Sequence, residues 1–342
     1  MTKLPSNQGS AIWLFSTANS SYLPRLAALD KSLGPQSEKL HKKYLNLDES
    51  PWPAEWEQLL DGQVIQLPYL LASNPRITPA LKDRTLVEKF FTLGPQFLSV
   101  HLSLVAEGDW VVYCDADIKF FSSLEEVLAP FQSQSVVLAR HNHFWWNRAR
   151  LRKYGEYNVG LVAFRNTTDG RKALEYWAES CLEWCYDKVE DGKYADQKYL
   201  EDFTRLGVAV AVDSRRGSNL APWNSPNRKV TRGESGKYFL GQIPILYFHM
   251  QGLKRSNSDW ELGHLPFLNV AGQALKREIY LPYLSELEDT LGRMGADAQQ
   301  ARKAHRATAG GLIKKVQNAL QKLLRQTIPL DQIEEFKHHD SN

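Results

Sequence analysis

Short apolar runs alternate along this chain with stretches in which apolar residues recur at helical spacing, the pattern of an α/β fold. Ala11 to Phe15 reads as a buried first strand, and Ser16 to Ser21 as a polar loop. Tyr22 to Leu33 reads as a helix stopped by Gly34 and Pro35. Tyr44 to Leu47 and Val64 to Leu67 read as two more strands, with a Pro- and Trp-rich loop or helix entry between them at Ser50 to Pro53. Arg84 to Ala106 has helical spacing, with a break expected at Gly94 and Pro95. Trp110 to Cys114 is a fully apolar run of strand length that ends abruptly on Asp115-Ala116-Asp117, after which Ser122 and Ser123 are placed to cap a helix beginning at Leu124. Val136 to Leu138, Val159 to Phe164, Val208 to Val212 and Ile243 to His249 read as further strands, and Lys172 to Tyr186 as a helix. From about Leu275 strand signals vanish and helical spacing runs to the C-terminus. The expected division is one α/β domain over residues 1–275 and a helical extension over 276–342.

Composition narrows the class. With 342 residues, 43% of them hydrophobic, the chain can bury a sizeable core, and disorder over most of its length is excluded. A net charge of +3 does not suggest nucleic acid as the partner of the whole molecule. Three cysteines cannot build a disulfide framework and suit a reducing compartment. Cys181 and Cys185 share a helical face, but no further cysteine completes a zinc site, so they read as buried thiols. No apolar run approaches the ~20 residues that span a bilayer, and Ala11 to Phe15 is too short for a signal-peptide core. A soluble, cytosolic protein is expected.

The tail departs from that even charge. Between Arg293 and Pro329 eight cations face Asp297 alone, and Leu312, Ile313, Val316, Leu320, Leu323 and Leu324 form one stripe at helical spacing. Such a basic amphipathic helix suits an anionic membrane surface, with a peripheral position at the inner face of the membrane. It equally suits a helix packed on the main domain with a solvated basic face. Aromatics for base stacking are missing from it, which disfavours nucleic acid.

Several residues stand where chemistry would be expected. An Asp-x-Asp triplet is common by chance, but Asp115 and Asp117 sit where an apolar strand ends, and open α/β sheets bind ligands there. Two carboxylates at that spacing make a hard-oxygen site for a divalent cation; a turn with a capping Asp is the plainer alternative. His249 closes a late strand and is followed by Gly252, Lys254 and Arg255. A glycine lets backbone approach a diphosphate and the cations meet its oxygens. One nitrogen among oxygen ligands favours Mn²⁺ over Ca²⁺, with Mg²⁺ as the alternative. Asn158 and Gly160 lie at the mouth of an apolar strand, where they either contact a polyhydroxy ligand or form an ordinary turn. Asp196 and Gln197 precede a helical stretch, Lys198 to Phe203, and either cap it or contact sugar hydroxyls. Trp145, Trp146 and Trp223 lie in polar surroundings and suit either acceptor binding or partly buried anchoring. The chain contains no Gly-x-Gly-x-x-Gly, Walker A, His-Glu-x-x-His or Gly-x-Ser-x-Gly motif.

Taken in order, these motifs resemble nucleotide-sugar glycosyltransferases of the GT-A fold. The likeness is strongest to the retaining family that includes glycogenin and the bacterial lipo-oligosaccharide galactosyltransferases. Ser16, Thr17, Ala18, Asn19 and Tyr22 match its opening loop, with Asn19 where Asp is common. Asp115 and Asp117 match its Asp-x-Asp, Asn158 and Gly160 its Asn-x-Gly strand, and Asp196-Gln197 its Asp-Gln pair. His249, Gly252 and either Lys254 or Arg255 match its closing His-x-x-Gly-x-x-Lys. The match spans about residues 11–255, and its spacing suggests a separate bacterial branch. The resemblance implies a GT-A-like mixed sheet flanked by helices and transfer of a hexose, from UDP or another nucleoside diphosphate, to a carbohydrate or lipid-linked acceptor. It implies that Asp115, Asp117 and His249 hold the metal, and that Lys254 and Arg255 hold the phosphates. Asn158, Asp196 and Gln197 would be the catalytic residues, orienting the donor sugar and stabilising an oxocarbenium-like transition state, while Thr17, Ala18 and Tyr22 line the nucleoside pocket. Two rival readings are a sugar-nucleotide pyrophosphorylase, whose Gly-rich basic N-terminal loop is not seen, and a non-catalytic carbohydrate-binding or membrane-adaptor protein.

Overall fold

The computed structural model describes residues 10–225, 229–295, 323–324 and 326–340. Its centre is a seven-stranded mixed sheet. In chain order its strands are β1 (Ile12–Ala18), β2 (Leu40–Asn46), β3 (Gln63–Gln66) and β4 (Trp110–Cys114), then, after the short β5 (Ile118–Phe120) outside this sheet, β6 (Val136–Arg140), β7 (Tyr157–Arg165) and β8 (Val210–Asp213). They lie side by side in the order β3-β2-β1-β4-β7-β6-β8. β1 to β4 run parallel, β7 runs antiparallel to β4 and β6, and β8 is parallel to β6. With helices on both faces, this is the mixed α/β architecture expected from the alternating pattern.

The two faces are covered by different helices. On one, Leu93, Phe97 and Leu98 of the helix Leu86–His101 and Leu174 and Trp177 of the helix Thr168–Glu183 pack on Val111, Tyr113 and Val162. On the other, Leu23, Leu26 and Leu29 of the helix Leu23–Ser32 pack on Leu14, Val112 and Leu161. Strands buried on both faces explain the near-continuous apolar runs of β1 and β4.

The break expected at Gly94-Pro95 does not occur: the helix runs unbroken from Leu86 to His101. A Cβ at Gly94 would lie 2.8 Å from the Tyr113 ring, so glycine there lets the helix settle on β4. The helix starts with a capping box, Thr85 accepting from the Glu88 amide while Glu88 accepts from that of Thr85.

After β8 the chain forms a three-stranded ribbon, β9 (Val230–Arg232), β10 (Tyr238–Leu240) and β11 (Ile243–Pro244), then β12 (Tyr247–His249). β12 pairs antiparallel with β5, with His249 opposite Ile118. The expectation of a strand-free C-terminus is corrected. β13 (Lys254–Arg255), β14 (Asp259–Glu261) and β15 (Thr327–Pro329) form a small sheet in which Ile328 lies opposite Trp260. Tyr280, Leu284 and Leu287 share one apolar cluster with Phe248, Met250, Ile328 and Ile333. Most of the basic stripe expected over 293–329 lies outside the described residues. Among the described residues no helix is long and apolar enough to cross a membrane.

Candidate functional site: a carboxylate–histidine centre at the strand ends

Parallel β1 and β4 end side by side, and their C-terminal ends carry Thr17-Ala18 and Asp115-Ala116-Asp117. The pairing of β5 with β12 then returns His249 to the same place. His249 Nε2 lies 3.1 Å from Asp117 Oδ1 and 3.7 Å from Asp115 Oδ2. One ligand atom from each of the three residues falls within 4.8 Å of the others. Main-chain bonds fix the loop: the Asp115 amide donates to the Gly160 carbonyl (2.9 Å) and the Met250 amide to the Asp117 carbonyl (2.8 Å). The expected Asp/Asp/His set is therefore brought together.

Asn158 and Gly160 lie where β7 passes behind His249. Between Leu138 and Ala139 the pairing of β6 with β7 shifts register, so Val159 to Leu161 have no opposite partners on β6. Such bulges re-aim side chains, and here Asn158 Oδ1 comes to 3.1 Å from His249 Nδ1. A Cβ on Gly160 would sit 2.7 Å from that nitrogen and 2.5 Å from the Asn158 oxygen. Glycine is needed here because imidazole and amide already fill the space.

Electrostatics follow from burial and proximity. Burial raises the Asp115 pKa to about 6, against the opposing pull of His249, even though 33% of the side chain reaches the surface. Burial also acts to raise Asp117, but the His249 charge and hydrogen bond outweigh it and hold this carboxyl below its ordinary range. For His249 burial acts downward, and the Asp117 carboxylate overrides it and raises the pKa. Nε2 of His249 faces both carboxylates. The Asp196 carboxyl is buried and pushed well above its ordinary value, first by burial and then by the charge of Asp115.

The remaining expected residues are placed as follows. Thr17 is buried, its hydroxyl 3.4 Å from the Tyr113 hydroxyl, and Ala18 is fully buried. Tyr22 is half-buried and close enough to feel both carboxylates, which with burial raise its pKa. The Asn19 side chain is used locally, accepting from the Ser21 hydroxyl and the Tyr22 amide. Gln197 donates its amide to the Tyr154 carbonyl. Trp223 is only 1% exposed, its indole N–H donates to the His141 carbonyl, and its ring packs edge-on against His249 at 5.5 Å. It supports the His249 ring from behind rather than facing solvent.

The cations expected on phosphate separate. Arg255 donates to both carboxylate oxygens of Glu288 at 2.6 and 2.9 Å, so its guanidinium is committed elsewhere. Gly252 has φ +82° and its backbone closely approaches that of Gly263 in the adjoining turn, which accounts for glycine there. Lys254 is exposed.

The structure adds Arg25, which sequence reasoning missed. Its charge helps to lower Asp117, it lies 4.8 Å from the Tyr22 ring centre, and it donates to the Leu253 carbonyl at 3.0 Å. Its position three residues beyond Tyr22, in the first turn of the helix, was the available signal. The loop Asn219 to Asn224 also meets the site: the His249 amide donates to the Leu220 carbonyl at 2.7 Å. Left-handed backbone at Asn142, Ala195 and Asn219 occurs in segments that supply Asp196 or adjoin His249, as expected where the surroundings over-determine a functional site.

No protein-family profile matches the chain. It is 26% identical over 290 residues to YfnD of Bacillus subtilis (strain 168), described as an uncharacterized protein, covering 80% of this chain and 88% of that one. It is also 26% identical over 204 residues to YfnF of the same organism, likewise described as uncharacterized, covering 58% and 67%. Among solved structures it is similar to the galactosyltransferase LgtC in complex with donor and acceptor sugar analogs, with TM-score 0.44 and 15% identity over 70% of this chain and 87% of that one. Mouse xyloside xylosyltransferase 1 in its apo form gives TM-score 0.42 and 13% identity over 71% and 98%. Scores this low leave function to be read from this chain's own residues.

Proposed function

We propose that the protein is a metal-dependent glycosyltransferase that moves a hexose from a nucleotide diphosphate sugar, with UDP as the first candidate, to a carbohydrate or lipid-linked acceptor. The observation that carries this reading is the Asp115–Asp117–His249 set at the C-terminal ends of parallel strands, with the second nitrogen of His249 held by Asn158. Two carboxylates and one imidazole fit Mn²⁺ or Mg²⁺ and leave coordination positions for phosphate oxygens. The cation, when bound, would offset the charge that develops on the departing diphosphate.

The chain's own residues account for the rest. Tyr22, with Thr17 and Ala18 below it, would line the nucleoside pocket. Arg25 and Lys254 would hold the diphosphate, Arg25 being tied to the residue that precedes Lys254. Asp196, within electrostatic reach of Asp115, would accept hydroxyls of the donor sugar. Arg255 has no part in this arrangement.

A thermal-shift titration with nucleoside diphosphates and nucleotide sugars, with and without Mn²⁺, tests the reading. A ligand that binds only the folded state raises the melting temperature. A shift with UDP or a UDP-sugar that requires Mn²⁺ and is lost in Asp117→Asn is the expected result. No shift with any nucleotide would overturn the proposal.

A further inference from the structure

The segment from His141 to Gly155 contains four cations, Arg148, Arg150, Arg152 and Lys153, and no Asp or Glu stands between Glu126 and Glu156. The flanking carboxylates are already engaged, Glu156 with Arg140 and Glu201 with Lys198. Arg148, Arg152 and Lys153 form no ion pair among the described residues. Within this basic surface Trp145 is 76% exposed and Trp146 40% exposed. Beside them Leu268 is 79% exposed and held outward by a left-handed backbone, φ +52°. The patch is built rather than loose: Asn147 donates to the Phe267 carbonyl at 2.6 Å, Arg150 donates to that of Pro266, and Phe144 stacks on Trp146 at 4.6 Å.

We infer that this face docks the protein on an anionic phospholipid surface. Trp and Leu enter the interface there, and the arginines and lysine meet the head groups. A platform for soluble sugar would also use indole rings, but it gives no reason to fix a leucine in solvent, whereas acyl chains do. The face also adjoins the metal centre. His143 lies 6.0 Å from both Phe267 and Trp223, and Trp223 is in contact with His249. An acceptor carried at the membrane would be presented to the catalytic end of the sheet. Docking itself does not depend on the transferase reading.

The test uses the full chain with vesicles of phosphatidylcholine alone and of an equal mixture with phosphatidylglycerol, some carrying a quencher on the acyl chain. Residues 276–342 contain no Trp, so acyl-chain quenching of indole fluorescence separates this face from the basic tail. Expected are co-sedimentation with the anionic vesicles only and quenching that disappears in Trp145→Ala/Trp146→Ala. Partition should fall roughly tenfold in that variant and in Arg148→Glu/Arg152→Glu/Lys153→Glu. Binding without quenching would assign the membrane to the tail and overturn the inference. So would no binding, or indole fluorescence that responds to soluble carbohydrate and not to lipid.

Discussion

Asn158 Oδ1 lies 3.1 Å from Nδ1 of His249, on the side of the ring away from the carboxylates. By accepting from Nδ1–H, Asn158 leaves Nε2 to face Asp115 and Asp117. The family resemblance gives Asn158 to the donor sugar. Its contact in this structure orients the His249 imidazole.

Partners of this kind typically contribute about 10- to 100-fold to metal affinity. Asn158→Ala should weaken Mn²⁺ binding by that factor, and Asn158→Asp should retain most of it by restoring an acceptor. Titration calorimetry on the two variants checks this, and an unchanged Kd in the alanine variant would show that other contacts hold the ring.

Gly160 offers a sharper steric test. In Gly160→Ala the new methyl group would press on both His249 and Asn158, at a cost of about 1–3 kcal/mol. Mn²⁺ binding should fall further than in Asn158→Ala, while far-ultraviolet circular dichroism stays that of the native sheet. A variant that binds Mn²⁺ normally would mean that β7 yields without disturbing the imidazole.

Metal binding should strengthen with pH, because the cation displaces protons. Asp115 in the folded, metal-free protein titrates near 6 and His249 above its ordinary 6.5. Both folded values are raised, so the stability these groups contribute is present at low pH and is lost as pH rises through them. Mn²⁺ replaces those protons. The rise in melting temperature on adding Mn²⁺ should therefore be small at pH 5 and larger at pH 8, with protons released on binding. A shift independent of pH would remove Asp115 and His249 from the site.

Arg25, which the fold brings to the Leu253 carbonyl, and Arg255 should behave differently. Arg25→Ala should weaken UDP binding about tenfold, the loss of a charge-assisted contact, with little change in unfolding midpoint. Arg255→Ala should leave nucleotide affinity unchanged and cost about 1–3 kcal/mol of stability, because Glu288 loses both guanidinium bonds. Nucleotide titration and urea unfolding on both variants decide it; the opposite pattern would restore Arg255 to the phosphates.

The strands β1, β4 and β7 were legible because each is buried on both faces and reads as an apolar run. Asp115 and Asp117 were legible because the run stops on them. Harder to read was Gly94-Pro95, which lies inside an unbroken helix and where the glycine leaves the room that Tyr113 requires. The strand Thr327–Pro329 was not legible at all, since its pairing partner lies more than sixty residues earlier.

The sequence by itself determined the α/β class and the side-chain chemistry of each motif, because these depend on periodicity and residue type along a short window, while Asp115, Asp117 and His249 could be grouped only through the order of motifs along the whole chain. Tertiary structure decided which residues serve one another. It turned Asn158 toward His249 through a bulge in β7, gave Arg255 to Glu288, brought Arg25 to Asp117 and buried Trp223 behind the imidazole. Such partnerships depend on which long-range strand and helix contacts form, and a hydrogen-bonding side chain takes the partner that packing leaves within about 3 Å of it.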